Sequence, residues 1–230
     1  MVNTIIQQSM LRKAKTEGVI DFDVVDLRDF GQGNYRQIDD TPYGGGGGMV
    51  LMAEPLFAAL DHAIANIGAS TNLRIIYPSP QGLQWSQDAA QENSSLENLI
   101  FICGHYKDID HRVIDKYVTH EYSIGDYVVT SGEIPTMIMI DSIVRLLPGV
   151  LNNFDSAKTD SFFSESLLDA PYYTKPKKID GLSVPEVLMS GNHEKIAAWR
   201  EDERIRRTEV KRPDLAHVRA KKLESLENQS

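Results

Sequence analysis

The sequence predicts an α/β fold with a mainly parallel sheet. Three observations carry that prediction. Short apolar runs, Leu73 to Tyr77 (LRIIY) and Leu99 to Cys103 (LIFIC), each stop at glycine or proline breakers. Stretches with apolar residues at helical spacing separate them. Strand-like and helix-like segments therefore alternate, the pattern of crossover connections between parallel strands.

In chain order, residues 4–17 (TIIQQSMLRKAKTE) read as a helix stopped by Gly18, and Val19 to Leu27 (VIDFDVVDL) alternates as a strand would. A loop leads to Pro42, Tyr43 and five glycines, Gly44 to Gly48. A glycine run either lets backbone approach a ligand or serves as a flexible loop. No Gly-Lys-Ser/Thr follows it, and no strand-borne G-x-G-x-x-G passes through it, so a nucleotide cofactor has no support. Glu54 to Ile67 repeats Leu56, Phe57, Leu60 and Ile64 at helical spacing. The strand at 73–77 runs into Pro78-Ser79-Pro80-Gln81-Gly82. A helix near 86–97 precedes the second strand, and His105 to Val118 reads as a charged helix after Gly104.

Tyr122 to Pro135 (YSIGDYVVTSGEIP) reads as a strand end, a Gly125-Asp126 turn and a helix start. Thr130-Ser131-Gly132-Glu133 has the spacing of a capping box, and Ile134, Met137, Ile138, Val144 and Leu147 fall mostly along one side of the helix. Such a junction is either an ordinary turn or part of a ligand rim, since open α/β sheets bind at the carboxyl ends of their strands. If the strands are parallel, the ends at 77–82, 104–110 and 122–130 share one edge and line one pocket.

After Gly149 the composition shifts. Asn152 to Ser166 is polar and reads as a linker or mobile loop. From Pro185 the chain is helical and charge-dense, with Arg200, Arg204, Arg206, Arg207, Lys211, Arg212, Arg219, Lys221 and Lys222 interleaved with acids. These cations form either a solvated amphipathic helix pair or a small module gripping phosphates.

The 230 residues, 41% hydrophobic, suffice for one large domain or two small ones. The formal net charge of -9 excludes a globally basic nucleic-acid binder while permitting a local basic face. Cys103 is the single cysteine, so no intrachain disulfide forms, and its apolar run predicts a buried thiol. Together with the absence of an apolar signal or membrane-length segment, this points to a reducing cytoplasm and no membrane. The six histidines and the cysteine show no zinc spacing, so no structural metal is predicted.

Several segments resemble one family in its own order: Tyr43 to Met49 (YGGGGGM), Ser79 to Gly82 (SPQG), Cys103 to Arg112 (CGHYKDIDHR), Ser123 to Pro135 (SIGDYVVTSGEIP), Arg145 to Val150 (RLLPGV), Asp160 to Pro176 (DSFFSESLLDAPYYTKP) and Met189 to Glu194 (MSGNHE). The likeness is to the bacterial tRNA (guanine-N1)-methyltransferases, the TrmD family of the SPOUT superfamily. It implies a SPOUT-type α/β domain at 1–151 with a C-terminal trefoil knot, a flexible linker at 152–166 and a small helical tRNA-binding domain at 167–230. It also implies a homodimer with shared sites, acting on the anticodon arm at guanine 37, which is preceded by another guanine.

The resemblance places S-adenosyl-L-methionine against Tyr77, Pro78, Pro80, Gly104, Tyr106, Ile124, Gly125, Tyr127, Val129 and Pro135. It makes Asp160 the general base for the guanine N1 proton and Arg145 the cation facing charge on O6. Asp169 becomes a supporting acid in the tRNA site, one residue further from Asp160 than the family pattern has it. It also favours the basic-module reading, with Arg200, Arg207 and Arg212 as RNA contacts. A SPOUT enzyme for another RNA position and a non-catalytic tRNA-binding remnant are the alternatives.

The departures are specific. The family opens with an apolar strand and a Leu-Phe-Pro turn ahead of the first helix, whereas this sequence starts inside that helix, which predicts an open sheet edge. Lys107 stands where the family commonly has Glu, and Asp108 where Gly is usual. That acid belongs to the family's magnesium environment, so Lys107 argues against a Mg2+ requirement and is a candidate partner for the cofactor carboxylate. Ser131 replaces one of a Gly-Gly pair, and Gly47 a more usual Pro or Ala.

Overall fold

The computed structural model describes residues 1–68, 72–151, 157–163 and 166–216. The chain forms two compact units, Met1–Asn152 and Asn153–Ser230.

The first unit is built on a three-stranded parallel sheet. Its strands are β3 (Leu73–Gln84), β4 (Asn98–Phe101) and β5 (His120–Ser123), in the order β4-β3-β5. Two short strands, β1 (Asp39–Asp40) and β2 (Val50–Leu51), form a separate antiparallel pair. The helices are α1 (Val2–Ile5), α2 (Ser9–Thr16), α3 (Ala53–Ile67), α4 (Gln87–Ser94), α5 (His111–Tyr117) and α6 (Glu133–Val144).

Period-2 alternation along β3 sends neighbours to opposite faces. Ile75 and Tyr77 pack with Leu56 and Leu60 of α3 and Val113 of α5. Ile76 packs on the other side with Tyr122 and with Met139 of α6. Both faces are thus covered, which explains why the run is continuously apolar. A third cluster joins Ile6, Leu11 and Ala14 to Met137, Val144 and Val150.

Several sequence expectations change here. The predicted helix at 4–17 is two helices, broken where Ser9 takes φ 47°; Gly18, with φ 71°, does lie just past the end of α2. Val19 to Leu27 forms no strand. Val19, Ile20 and Phe22 lie on the α2–α6 core, while Asp21 and Asp26 accept hydrogen bonds from the Phe22 and Arg28 amides. Those local bonds compete with a ladder, and the segment ends in a single 3-10 turn, Leu27–Phe30. The charged helix begins at His111, because residues 107–110 are zipped to β2 instead: Lys107 N donates to Met49 O, Leu51 N to Asp108 O and Asp110 N to Leu51 O.

The capping box is not formed. Gly132 is the N-cap of α6 and no side chain caps it. The face predicted for α6 also splits: Met137 and Val144 are buried, whereas Ile134 and Ile138 stay 43% and 44% exposed. Cys103 is half-buried, its thiol donating to Thr136 Oγ1 at 3.4 Å, and burial pushes its pKa up.

The strand at 73–77 does not stop at its breakers. Pro78 and Leu83 both pair with Tyr122, so Ser79-Pro80-Gln81-Gly82 bulges out and the chain then resumes beside β5. Gly82 makes this possible, since a Cβ there would lie 2.4 Å from backbone atoms of Glu121 and Tyr122.

In the second unit, β6 (Lys178–Ile179) and β7 (Leu182–Ser183) form a hairpin absent from the sequence expectations, although its turn pair Asp180-Gly181 is a hairpin signal, followed by α7 (Glu186–Met189) and α8 (His193–Lys211). Of the stretch read as a linker, 152–156 and 164–165 lie outside the described residues; 157–163 belong to this unit, and Ala157 is buried. Arg219, Lys221 and Lys222 of the predicted basic module also lie outside the described residues.

Gly82→Ala is expected to lower stability by about 1–3 kcal/mol, because backbone rather than a mobile side chain blocks the added methyl. Gly47→Ala, where nothing lies within 4 Å of the added atom, should stay near wild type. Urea unfolding midpoints check both; equal midpoints for the two variants would contradict the packing described.

Candidate active site

Three strand ends meet at one edge of the sheet and enclose a cleft. Its walls are the bulge after Tyr77, the loop from Gly104 to Asp108 and the loop from Tyr122 to Gly132, with Pro135 on α6. The cleft has a volume of about 120 Å³ and is open to solvent. All ten residues proposed from sequence for the cofactor line it: Tyr77, Pro78, Pro80, Gly104, Tyr106, Ile124, Gly125, Tyr127, Val129 and Pro135.

Glycines let these loops touch backbone to backbone. Gly132 N donates to Gly104 O at 2.7 Å, and a Cβ on Gly132 would lie 2.6 Å from Gly104 N. A Cβ on Gly104 would lie 2.8 Å from the Tyr77 hydroxyl. Gly125 has φ 140° and sits under the Tyr127 ring, so it is required on conformational and steric grounds alike. Tyr106 is a non-glycine residue at φ 62°, a strained conformation of the kind that gathers at ligand sites.

Polar groups fix the floor and rim. The Tyr77 hydroxyl donates to Asp108 Oδ1 at 2.7 Å, and the Ile109 amide donates to the same oxygen at 2.8 Å. Burial of Tyr77, helped by that hydrogen bond and the charges of Asp108 and Glu121, raises its phenol well above the usual 10.0. His105 Nε2 lies 2.6 Å from Glu133 Oε1. Burial works to raise the Glu133 carboxyl, but Ser131 and His105 beside it hold it below the ordinary carboxylate range. Lys107 lies on the lining, with its stem beside Gly48, the last residue of the glycine run.

Sequence reasoning missed the His105–Glu133 pair and the structural need for Gly132. The signal was present, since each of the paired residues adjoins a glycine, Gly104 or Gly132, but only the packing shows that these glycines meet.

Arg145, the C-cap of α6, is half-buried and is not among the lining residues. Asp160 and Asp169 belong to the second unit, where one loop brings them together. Asp169 N donates to Ser161 Oγ at 2.9 Å, and the Tyr172 hydroxyl donates to Asp169 Oδ2 at 2.6 Å. The hydrogen bond to Asp169, then partial burial, raise the Tyr172 phenol, and Asp160 adds a smaller push in the same direction. Phe162 takes φ 70°, and its amide donates to Leu167 O at 2.9 Å. Leu168 N donates to the buried Thr208 Oγ1 and so moors the loop to α8.

The proposed RNA contacts differ among themselves. Arg200 is exposed, Arg207 is half-buried, and Arg212 is held in a bidentate pair by Asp214. Arg204 and Arg206 are paired with Glu201 and Glu203. Among the described residues, no three His, Cys, Asp or Glu are grouped to hold a metal ion, and no helix is long and apolar enough to cross a membrane.

Residues 1–218 match the family described as tRNA (Guanine-1)-methyltransferase TrmD. The chain belongs to that family. A relative from Staphylococcus carnosus, named tRNA (guanine-N(1)-)-methyltransferase, is 47% identical over 215 residues, covering 94% of this chain and 86% of the relative. Relatives of the same name from Lacticaseibacillus paracasei and Clostridioides difficile are 50% and 45% identical, covering 91% and 93% of this chain and 81% and 91% of their own lengths. TrmD-family membership and the α/β architecture with its parallel sheet therefore stand together.

Tyr77→Phe should cost about 0.5–1.5 kcal/mol at pH 8 by removing the bond to Asp108. The raised phenol stabilises the fold fully below pH 10. Above it, the unfolded chain releases the proton first and this contribution fades. Urea unfolding from pH 8 to 11 should show the gap between wild type and variant narrowing; a constant gap would refute the coupling.

Proposed function

We propose that this chain transfers a methyl group from S-adenosyl-L-methionine to N1 of guanine 37 in tRNA, as a cytoplasmic homodimer. The cleft carries the proposal: a family named for guanine-N1 methylation has, in this chain, three loop ends gathered into one pocket whose walls are largely backbone.

The cleft suits that cofactor. Gly104, Gly125 and Gly132 leave room along the walls for an adenosine to approach the main chain, Ile124, Val129 and Pro135 offer apolar surface, and the Lys107 ammonium suits a carboxylate. When bound, the cofactor supplies a methyl group activated on a sulfonium. A lysine on this wall is a poor magnesium ligand, which counts against a part for Mg2+ here; activity with and without EDTA decides it. The trefoil knot is proposed for the same loops, in keeping with their backbone contacts.

Guanine N1 carries a proton at neutral pH, and its lone pair is free only once a base removes that proton. Asp160 is the proposed base; the turn closed by Phe162 and moored at Thr208 would hold it. Deprotonation shifts negative charge onto O6, which the Arg145 guanidinium would face. Asp169 would hold the loop through Ser161 and Tyr172.

Two observations support a dimer. Arg145 lies ten residues beyond Pro135, ~15 Å along α6, so a second chain is the natural owner of the cleft that Arg145 serves. Ile134 and Ile138, one turn apart on α6, leave an apolar stripe exposed, with Val128 and Leu83 also exposed. The second unit, including α8, is the proposed tRNA-binding part.

Transfer of labelled methyl should occur to transcripts with guanine 37 and not adenine 37. Asp160→Ala should lower turnover by about 10²–10⁴-fold while calorimetry shows unchanged cofactor affinity; a matching loss of affinity would remove it from the role of base. Ile134→Glu with Ile138→Glu should sediment at the mass of one chain, and a persistent dimer would place the interface elsewhere.

A further inference from the structure

Of the arginines on and just after α8, Arg204, Arg206 and Arg212 already hold Glu201, Glu203 and Asp214, and Arg200 is the exposed one with no ion pair among the described residues. A denser group of cations without such partners lies elsewhere in the same unit. Every residue from 172 to 183 is exposed, and within that strip Lys175, Lys177 and Lys178 have no carboxylate in ion-pair range among the described residues. The strip's single acid is Asp180, at the hairpin turn.

Two tyrosines open the strip. Tyr172 is 70% and Tyr173 48% exposed, although each is anchored. Tyr172 is tied to Asp169, and the Tyr173 ring lies 6.5 Å from the Trp199 ring at 52°. The lysines are anchored through backbone: Val184 N donates to Lys177 O, and Lys178 pairs with Ser183 across the hairpin. Fixed aromatic faces beside uncommitted lysines are the two components of sequence-tolerant RNA binding, one stacking bases and the other neutralising phosphates.

We infer that Tyr172, Tyr173, Lys175, Lys177 and Lys178 form an RNA-binding strip that leads the tRNA strand to the Asp160 loop. This rests on the proposed tRNA substrate and goes beyond it by moving the main phosphate contacts from the α8 arginines to this strip. The bond from Tyr172 to Asp169 joins strip and loop directly, so RNA seated on the tyrosines is continuous with the base to be deprotonated. In a chain of net charge -9, three unpaired lysines side by side select a polyanion.

The test uses the full chain and a tRNA transcript with guanine 37, with binding measured across a salt series. Converting Lys175, Lys177 and Lys178 together to Gln should weaken binding about tenfold at low salt and reduce the slope of log K against log salt by about two. The triple Arg variant should keep both values, and Tyr173→Ala should weaken binding about tenfold with an unchanged slope. Cofactor affinity, which the first unit supplies, should not change in any variant. A wild-type slope in the triple Gln variant overturns the strip even if the wild-type chain methylates guanine 37. Absence of methylation by the wild-type chain with a reduced slope in the variant overturns the proposed activity and leaves the strip standing. Should the triple Gln variant lose helical circular dichroism, Lys177→Gln alone decides: a slope reduced by a little under one supports the strip and an unchanged slope overturns it.

Discussion

The 2.7 Å hydrogen bond from the Gly132 amide to the Gly104 carbonyl is the contact on which the first unit's architecture turns. It locks the start of α6 against the loop that leaves β4, at a separation no side chain tolerates. The loop after β5 is thereby pulled over the loop after β4, and both close on the bulge from β3. A cleft walled by backbone follows from that packing. So does the missing side-chain cap on α6, because Gly132 serves the interloop contact instead of a local capping box.

The two units solve different problems with different materials. The first presents main-chain groups and apolar rings at a sheet edge, with Asp108 and Glu133 holding Tyr77 and His105 in place. The second presents side chains on short, locally hydrogen-bonded segments: the Asp160–Asp169 loop, the hairpin and a charge-rich helix. Its helix neutralises much of its own charge in pairs three residues apart, so a count of arginines overstates the field it offers to a polyanion.

Local signals were readable where local physics decides. Gly18 and the apolar spacing of α3 mark helix ends and faces that depend on neighbours within a turn or two. The runs at 73–77 and 99–103 read as strands because both faces of the sheet are covered, and the structure places the second strand at Asn98–Phe101. The misreadings share one cause, competition from partners distant in sequence. Residues 107–110 lose their helix to hydrogen bonds with β2, and the 19–27 segment packs its apolar residues on helices while its amides turn to aspartates. Ile134 and Ile138 have the composition of core residues, and composition cannot tell a face turned to the core from one left for a partner.

The sequence by itself determined the fold class, the family and the ten residues that gather at the cleft, because breakers at strand ends and a family's motifs are written in consecutive residues. Tertiary structure alone decided how the cleft is held together. The contact of Gly104 with Gly132, the pairing of His105 with Glu133, and the freedom of Lys175, Lys177 and Lys178 where Arg204, Arg206 and Arg212 are paired all depend on distances between residues, and a linear pattern carries no distances.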